Sequence, residues 1–142
     1  MATVTSLIGK KYMLECALNK DVPENLVVRL STNDITPDED TIASEFTEAT
    51  FTGYAGIVTA PADWTVAVDD VGGENHMVAT HDEVEFVSTA SAQDQTITCA
   101  YLVTQTSGIL IASNRFTAPQ IANHIVNTGD KKTVTPTISL TP

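Results

Sequence analysis

The side chains able to do chemistry are few in this chain, and their spacing sets most of them against each other. His76 and His81 stand five positions apart. On one strand an odd separation sends two side chains to opposite faces, the wrong arrangement for a shared metal. His124 is remote, and no Cys or carboxylate stands at ligand spacing from any of the three, which read as surface or hydrogen-bonded imidazoles. Asp34 with Asp38-Glu39-Asp40 offers oxygens to a hard cation, as does Asp69-Asp70 with Glu74. A calcium site needs about six to eight oxygens ordered by a defined loop, and neither stretch has the spacing or central glycine of the helix–loop–helix motif. Both read as solvated acidic loops.

Cys16 and Cys99 have no C-x-x-C spacing, so neither a zinc site nor a redox pair is indicated. The default is two buried free thiols, with a disulfide between them open only to a chain that matures in an oxidising compartment. Nucleophilic catalysis finds no support, since neither G-x-S-x-G nor a phosphate-cradling glycine loop occurs. A carboxylate pair for sugar hydrolysis is defined in space rather than along the chain. Tyr54, Trp64 and Tyr101 could form an aromatic platform for a carbohydrate, although Trp64, alternating with Val66 and Val68, reads first as core. No catalytic, cofactor-binding or metal-ligating residue is therefore assigned, and no enzymatic activity is expected.

Charge narrows the partners. The chain has 142 residues, with 7 Lys plus Arg against 18 Asp plus Glu, for a formal charge of −11. Such a balance disfavours direct nucleic-acid binding, which needs clustered cations to neutralise phosphates, and disfavours docking on an anionic membrane. Apolar runs are too short to span a bilayer. The opening Met1-Ala2-Thr3-Val4-Thr5-Ser6 lacks the basic start and apolar stretch of a secretion signal.

The elements that must position these residues are mostly strands. Thr, Val and Ile supply 46 of the 142 residues while Leu is scarce. Side chains branched at Cβ lose rotamers on a helix and pack well on a pleated surface. One stretch, Ser6 to Lys20, has helical spacing: Leu7, Lys11, Leu14 and Leu18, with Met13 and Ala17, give one apolar stripe. Ser6 can cap its start, and Asp21 with Pro23 ends the pattern. Beyond Pro23 the period becomes that of a strand at Leu26 to Leu30, Gly56 to Thr59, Trp64 to Val68, Met77 to Thr80 and Glu83 to Thr89. Residues 31–48 form an acidic, turn-rich stretch with a helical turn near Ile42 to Phe46, and Asp69 to Asn75 reads as a loop. Thr96 to Phe116 gives the strongest hairpin, turning at Thr106-Ser107-Gly108, with Ile97, Cys99, Tyr101 and Val103 on one face. Pro136 makes the last strand an edge or bulged strand.

The expected fold is all-β: an antiparallel β-sandwich or jelly roll with one N-terminal amphipathic helix, residues 1–22 forming the helical segment and 23–142 the β-sandwich, a single domain overall. Several strands carry apolar residues on both sides: Val27 against Val28, Val87 beside Phe86, Leu102 and Leu110 across the hairpin. Sheets with two apolar faces are covered on both. A helix can shield part of one face, so the expectation is that another subunit covers the rest.

Two groups of motifs add a resemblance. Leu26 to Pro37 (LVVRLSTNDITP) is followed by Phe46-Thr47-Glu48-Ala49-Thr50-Phe51-Thr52-Gly53-Tyr54-Ala55. Later come Ala100-Tyr101-Leu102-Val103-Thr104, Gly108-Ile109-Leu110, Arg115-Phe116, and Asn127-Thr128-Gly129-Asp130 before Thr133-Val134-Thr135-Pro136. This pattern resembles small virion structural proteins of tailed bacteriophages. The resemblance implies a capsid decoration or cement protein, or another accessory virion protein, assembled in the host cytoplasm into the virion. It implies contacts with the major capsid protein or other virion proteins and a homo-oligomer, a trimer by analogy with the three-fold positions of a shell, and no cofactor. The alternative is a carbohydrate- or receptor-binding β-module on a tail or fibre.

Overall fold

The computed structural model describes residues 3–71, 73–116 and 124–140, and the side chains of 70 and 71 lie outside the description. The fold is mostly β, with one α-helix near the N-terminus and antiparallel pairing throughout. A five-stranded sheet carries the body, in the order β1 (Val4–Thr5), β9 (Leu110–Arg115), β8 (Cys99–Thr104), β2 (Leu26–Ser31), β3 (Ile57–Thr59). Against one of its faces lie a three-stranded sheet and two strand pairs. The former is β12 (Thr137–Leu140), β5 (Glu74–His81) and β4 (Trp64–Val71); the latter are β11 (Lys131–Val134) with β6 (Val84–Val87), and β10 (His124–Ile125) with β7 (Gln95–Thr96).

The larger core fills the space between these layers. Val28 and Leu30 of β2, with Ala100 and Leu102 of β8, meet Val84, Phe86, Val134 and Ile138 from the opposing strands. On the other side of the large sheet, Val27, Cys99, Tyr101, Val103 and Leu110 form a second apolar cluster. Every residue of β8 is buried as a result. The sheet has two apolar faces, as its sequence requires, but the second is sealed from within. Residues 32–48, expected as a solvated acidic loop, fold over it and press Ile35, Ala43 and Phe46 onto the cluster. Phe46 stacks on Tyr101 with ring centroids 4.4 Å apart and planes 7° from parallel. A neighbouring subunit is therefore not required to cover this sheet.

Helix α1 (Leu7–Ala17) starts and stops for identifiable reasons. Ser6 Oγ accepts from Gly9 N at 3.0 Å and donates to Leu110 O, tying the N-cap to the sheet. The end comes earlier than Pro23. Asn19 turns left-handed at φ 60°, Asn19 N reaches Cys16 O at 3.1 Å and Lys20 N reaches Glu15 O at 2.8 Å, a Schellman closure. Its buried side is also not the one the leucine stripe predicts. Gly9 and Tyr12 are buried and Met13 and Cys16 pack on the core, while Leu7, Leu14 and Leu18 point outward. The reason is Gly9: a Cβ there would meet Ile111 Cα and the carbonyls of Leu110 and Ile111 at 2.8 Å, so the helix backbone itself lies against β9. That contact coincides with a bulge, since Leu102 faces Ala112 and Val103 faces Leu110, leaving Ile111 as the extra residue.

Three further expectations change. The stretch 133–140 is two strands in different sheets, β11 and β12, with the corner at Thr135-Pro136, where Pro136 O accepts from His81 N at 3.0 Å. Ile97 joins the larger core, opposite Cys99, because the chain breaks at Thr98, which donates from N and Oγ1 to Ser31 O. Asp69 to Val71 and Glu74 to Asn75 lie in strands rather than in a loop. β4 and β5 pair along eight residues each, from Trp64↔His81 to Val71↔Glu74.

Candidate docking surface

The residues singled out for chemistry are dispersed. Among the described residues no group of three or more His, Cys, Asp or Glu is placed to hold a metal ion. His76 and His81 sit on opposite faces of β5, and His124 bonds elsewhere, to Asp94 at 3.1 Å and Thr96 Oγ1 at 2.6 Å. Both cysteines are free: Cys16 is half-buried under α1, and Cys99 is enclosed in the second cluster, where burial pushes its thiol above the ordinary value.

The acidic stretch uses its carboxylates to hold itself shut. Asp34 pairs with Arg115, and Asp38 Oδ1 accepts from Asp40 N at 3.0 Å and Thr41 Oγ1 at 3.1 Å. Glu45 accepts from Ile42 N at 2.7 Å. Glu48 receives the Tyr54 hydroxyl at 3.0 Å and lies 3.4 Å from Arg29. The three aromatic residues considered for a glycan do not make one platform. Tyr54 packs between Phe51 and Phe86 in the larger core, Tyr101 is buried on the other side of the sheet, and Trp64 stands alone at the edge of the body. Trp64 Nε1 donates to Thr59 Oγ1 at 3.0 Å, and its ring meets His81 edge-on at 5.3 Å.

What the surface of the described residues does offer is uncovered apolar area, including two places along α1. The outer side of α1 exposes Leu7, Leu14 (62%) and Leu18 (60%), with Val22 just beyond. Position 11 of that stripe is Lys11, paired with Glu15 one turn on. The second place begins as a trough beside the other side of the helix. Two adjoining hollows of about 220 and 290 Å³ share Pro23, Glu24, Leu26 and Ile138. Tyr12, Met13 and Cys16 wall one; Trp64, Ala79 and Thr59 wall the other. Glu24 is fixed at the junction: its carboxylate accepts from Thr106 N at 2.6 Å, from Ser107 N at 2.9 Å and from Ser107 Oγ. These bonds, the Ser107 hydroxyl foremost, hold Glu24 below the usual carboxylate range.

Charge is distributed as unevenly as apolar area. Residues 30–114 contain no Lys or Arg and carry fourteen of the eighteen carboxylates. The sequence contained this signal as a plain count. The apolar surface was harder to find there, because which side of each element is buried depends on contacts distant in the chain. No family model, curated protein or solved structure matches this chain.

Proposed function

We propose that the chain is a non-enzymatic structural protein of a tailed-phage virion, a head decoration or cement protein that acts by binding neighbouring protein subunits. The observation that carries this reading is the outward face of α1. A chain whose large sheet is sealed on both faces, with a formal charge of −11, still presents Leu7, Leu14 and Leu18 to solvent on one side of its helix. Exposed apolar side chains gathered on one side of a helix, with polar residues such as Lys11 and Glu15 among them, suit a protein contact. Its physical role would follow from number: a cement protein bridges neighbouring shell subunits, and many modest contacts acting together oppose the pressure of packaged DNA. The acidic surface suits that position, since it is repelled by the nucleic acid inside and keeps the outer surface soluble. A homo-oligomer closing the α1 faces on one another, with a trimer matching the three-fold positions of a shell, belongs to the same proposal.

The test is the particle itself. Virions purified from the genome that encodes this chain should contain it in many copies on the head, seen as repeated density and by quantitative mass spectrometry. Particles assembled without it should release DNA at lower temperature. Absence of the chain from purified particles overturns the reading.

A further inference from the structure

The pair β10–β7 brings together three side chains that the sequence keeps apart. His124 and Thr96 are register partners from positions 28 residues distant, and Asp94 stands two residues before Thr96. Thr96 Oγ1 lies 2.6 Å from His124 Nδ1, and Asp94 Oδ1 lies 3.1 Å from Nε2 of the same ring. A carboxylate only accepts, so Asp94 favours the tautomer with its proton on Nε2 and leaves the Nδ1 lone pair to the Thr96 hydroxyl, which donates. Hydroxyl, imidazole and carboxylate in this order are a nucleophile, its base and the group that orients the base. Neither other histidine has such a setting. His81 Nδ1 meets the Asp82 carbonyl at 2.7 Å, and His76 Nε2 stands 3.8 Å from Glu74.

The three side chains are open to solvent: Thr96 is exposed, Asp94 is 90% accessible and His124 39%. An acyl donor therefore reaches the hydroxyl with no movement of the fold. We propose that Thr96 is an acyl-acceptor site, its hydroxyl taking one acyl group per chain from an activated carboxylic ester, with His124 as base and Asp94 as positioning residue. Thr96 Oγ1 attacks the ester carbonyl carbon as its proton passes to His124 Nδ1. The imidazolium that results is stabilised beside Asp94. The tetrahedral intermediate then collapses: the bond from carbon to the leaving oxygen breaks, that oxygen takes the proton from Nδ1, and Thr96 keeps the acyl group as an ester. Nothing is oxidised or reduced. The hydroxyl is consumed, so each chain reacts once, which is a modification and not a catalytic cycle. This proposal does not depend on the virion reading.

The experiment treats the purified full chain with p-nitrophenyl acetate and follows acetylation peptide by peptide by mass spectrometry. Thr65 and Thr80 are the internal references, exposed strand threonines with no hydrogen bond to an imidazole. General-base assistance is worth about a hundredfold or more in a preorganised site. At this open one Thr96 should acetylate tenfold or more faster than either reference. Thr96→Val should abolish the label at that peptide, and His124→Gln should bring Thr96 down to the reference rate. Asp94→Asn should slow it tenfold, and Asp94→Glu, which keeps the charge, should recover most of the loss. Lysine acetylation and circular dichroism should be the same in all variants. A Thr96 no faster than Thr65 and Thr80, or equally fast in His124→Gln, overturns the site. An Asp94→Asn variant as fast as the unaltered chain overturns the role of Asp94. Sustained acetate release that Thr96→Val abolishes would overturn the single modification and the non-enzymatic reading with it, whereas absence of the chain from particles leaves this site standing.

Discussion

Gly9 decides where α1 sits. Elsewhere on a helix, Gly to Ala gains about 1 kcal/mol of intrinsic propensity. Here the added methyl would enter backbone atoms of Leu110 and Ile111 at 2.8 Å, and a backbone has no rotamer by which to move aside. Overpacking of this kind costs about 1–3 kcal/mol, so strain wins. Gly9→Ala should lower the denaturant midpoint, and a raised midpoint would mean the helix does not lie on β9 as described. Glu24 is the second residue whose role is local and testable. Its folded-state pKa is depressed by the donors of Thr106 and Ser107, so its stabilisation is present above the ordinary carboxyl value and is lost as pH falls through the folded value. Glu24→Gln should therefore be less stable than the unaltered chain at neutral pH. The difference should shrink in acid, as read from urea midpoints at a series of pH values. A gap that stays constant with pH would mean the carboxylate's charge is not what the 106–107 turn binds.

At the scale of elements, the residue 32–48 cover replaces the subunit that the two-faced sheet called for. Its anchor is Phe46 on Tyr101. Phe46→Ala removes a buried ring, at a cost of about 3–5 kcal/mol if the site does not collapse, and the loss falls on the cover. Cys99 beneath it should then become reactive. In the unaltered chain a thiol reagent should modify half-buried Cys16 first and Cys99 only on opening, whereas in Phe46→Ala the two rates should converge. Equal rates in the unaltered chain would show that the cover is not closed. The elements also show where sequence was informative. Alternation located β2, β6 and the β8–β9 hairpin because both sides of those strands are fixed by nearby burial, and Gly108 at φ 67° marks the turn between the latter two. Periodicity placed a helix over 6–20, of which 7–17 is helical, but the leucines chose its wrong side. Leu7, Leu14 and Leu18 outscore Gly9, Tyr12 and Cys16 in hydrophobicity, yet only the latter side offers a glycine where backbones touch. Asp69-Asp70 before Gly72-Gly73 read as a loop for a similar reason: the hairpin overhangs the core, so its strands keep charges that a buried strand would exclude. The uncovered apolar side of the β4–β5 hairpin was legible only in its parts, because the register that unites Val66 and Val68 with Met77 and Leu140 is tertiary.

For the whole molecule, the three tyrosines sample each enclosed region: Tyr12 under the helix, Tyr54 in the larger core, Tyr101 beneath the cover. Burial raises all three phenols above their ordinary value, Tyr12 and Tyr101 to about 12. Tyr12 is further committed on both sides, donating to Val22 O at 3.1 Å and accepting from Glu24 N at 2.8 Å. A phenol raised in the folded state contributes stability that is whole below the unfolded value of about 10 and drains away as pH climbs toward the folded one, because above 10 the unfolded chain has already released its protons. The chain should therefore show no tyrosine ionising at an ordinary phenol pH while it remains folded. Its near-ultraviolet absorbance titration should instead begin late and rise steeply, together with loss of the β signal in circular dichroism. A tyrosine that ionises near 10 with the fold intact would identify which enclosure is open: the helix seat, the core between the layers, or the acidic cover. The last case would return a free apolar sheet face to the molecule, and a neighbouring subunit would then be needed to seal it.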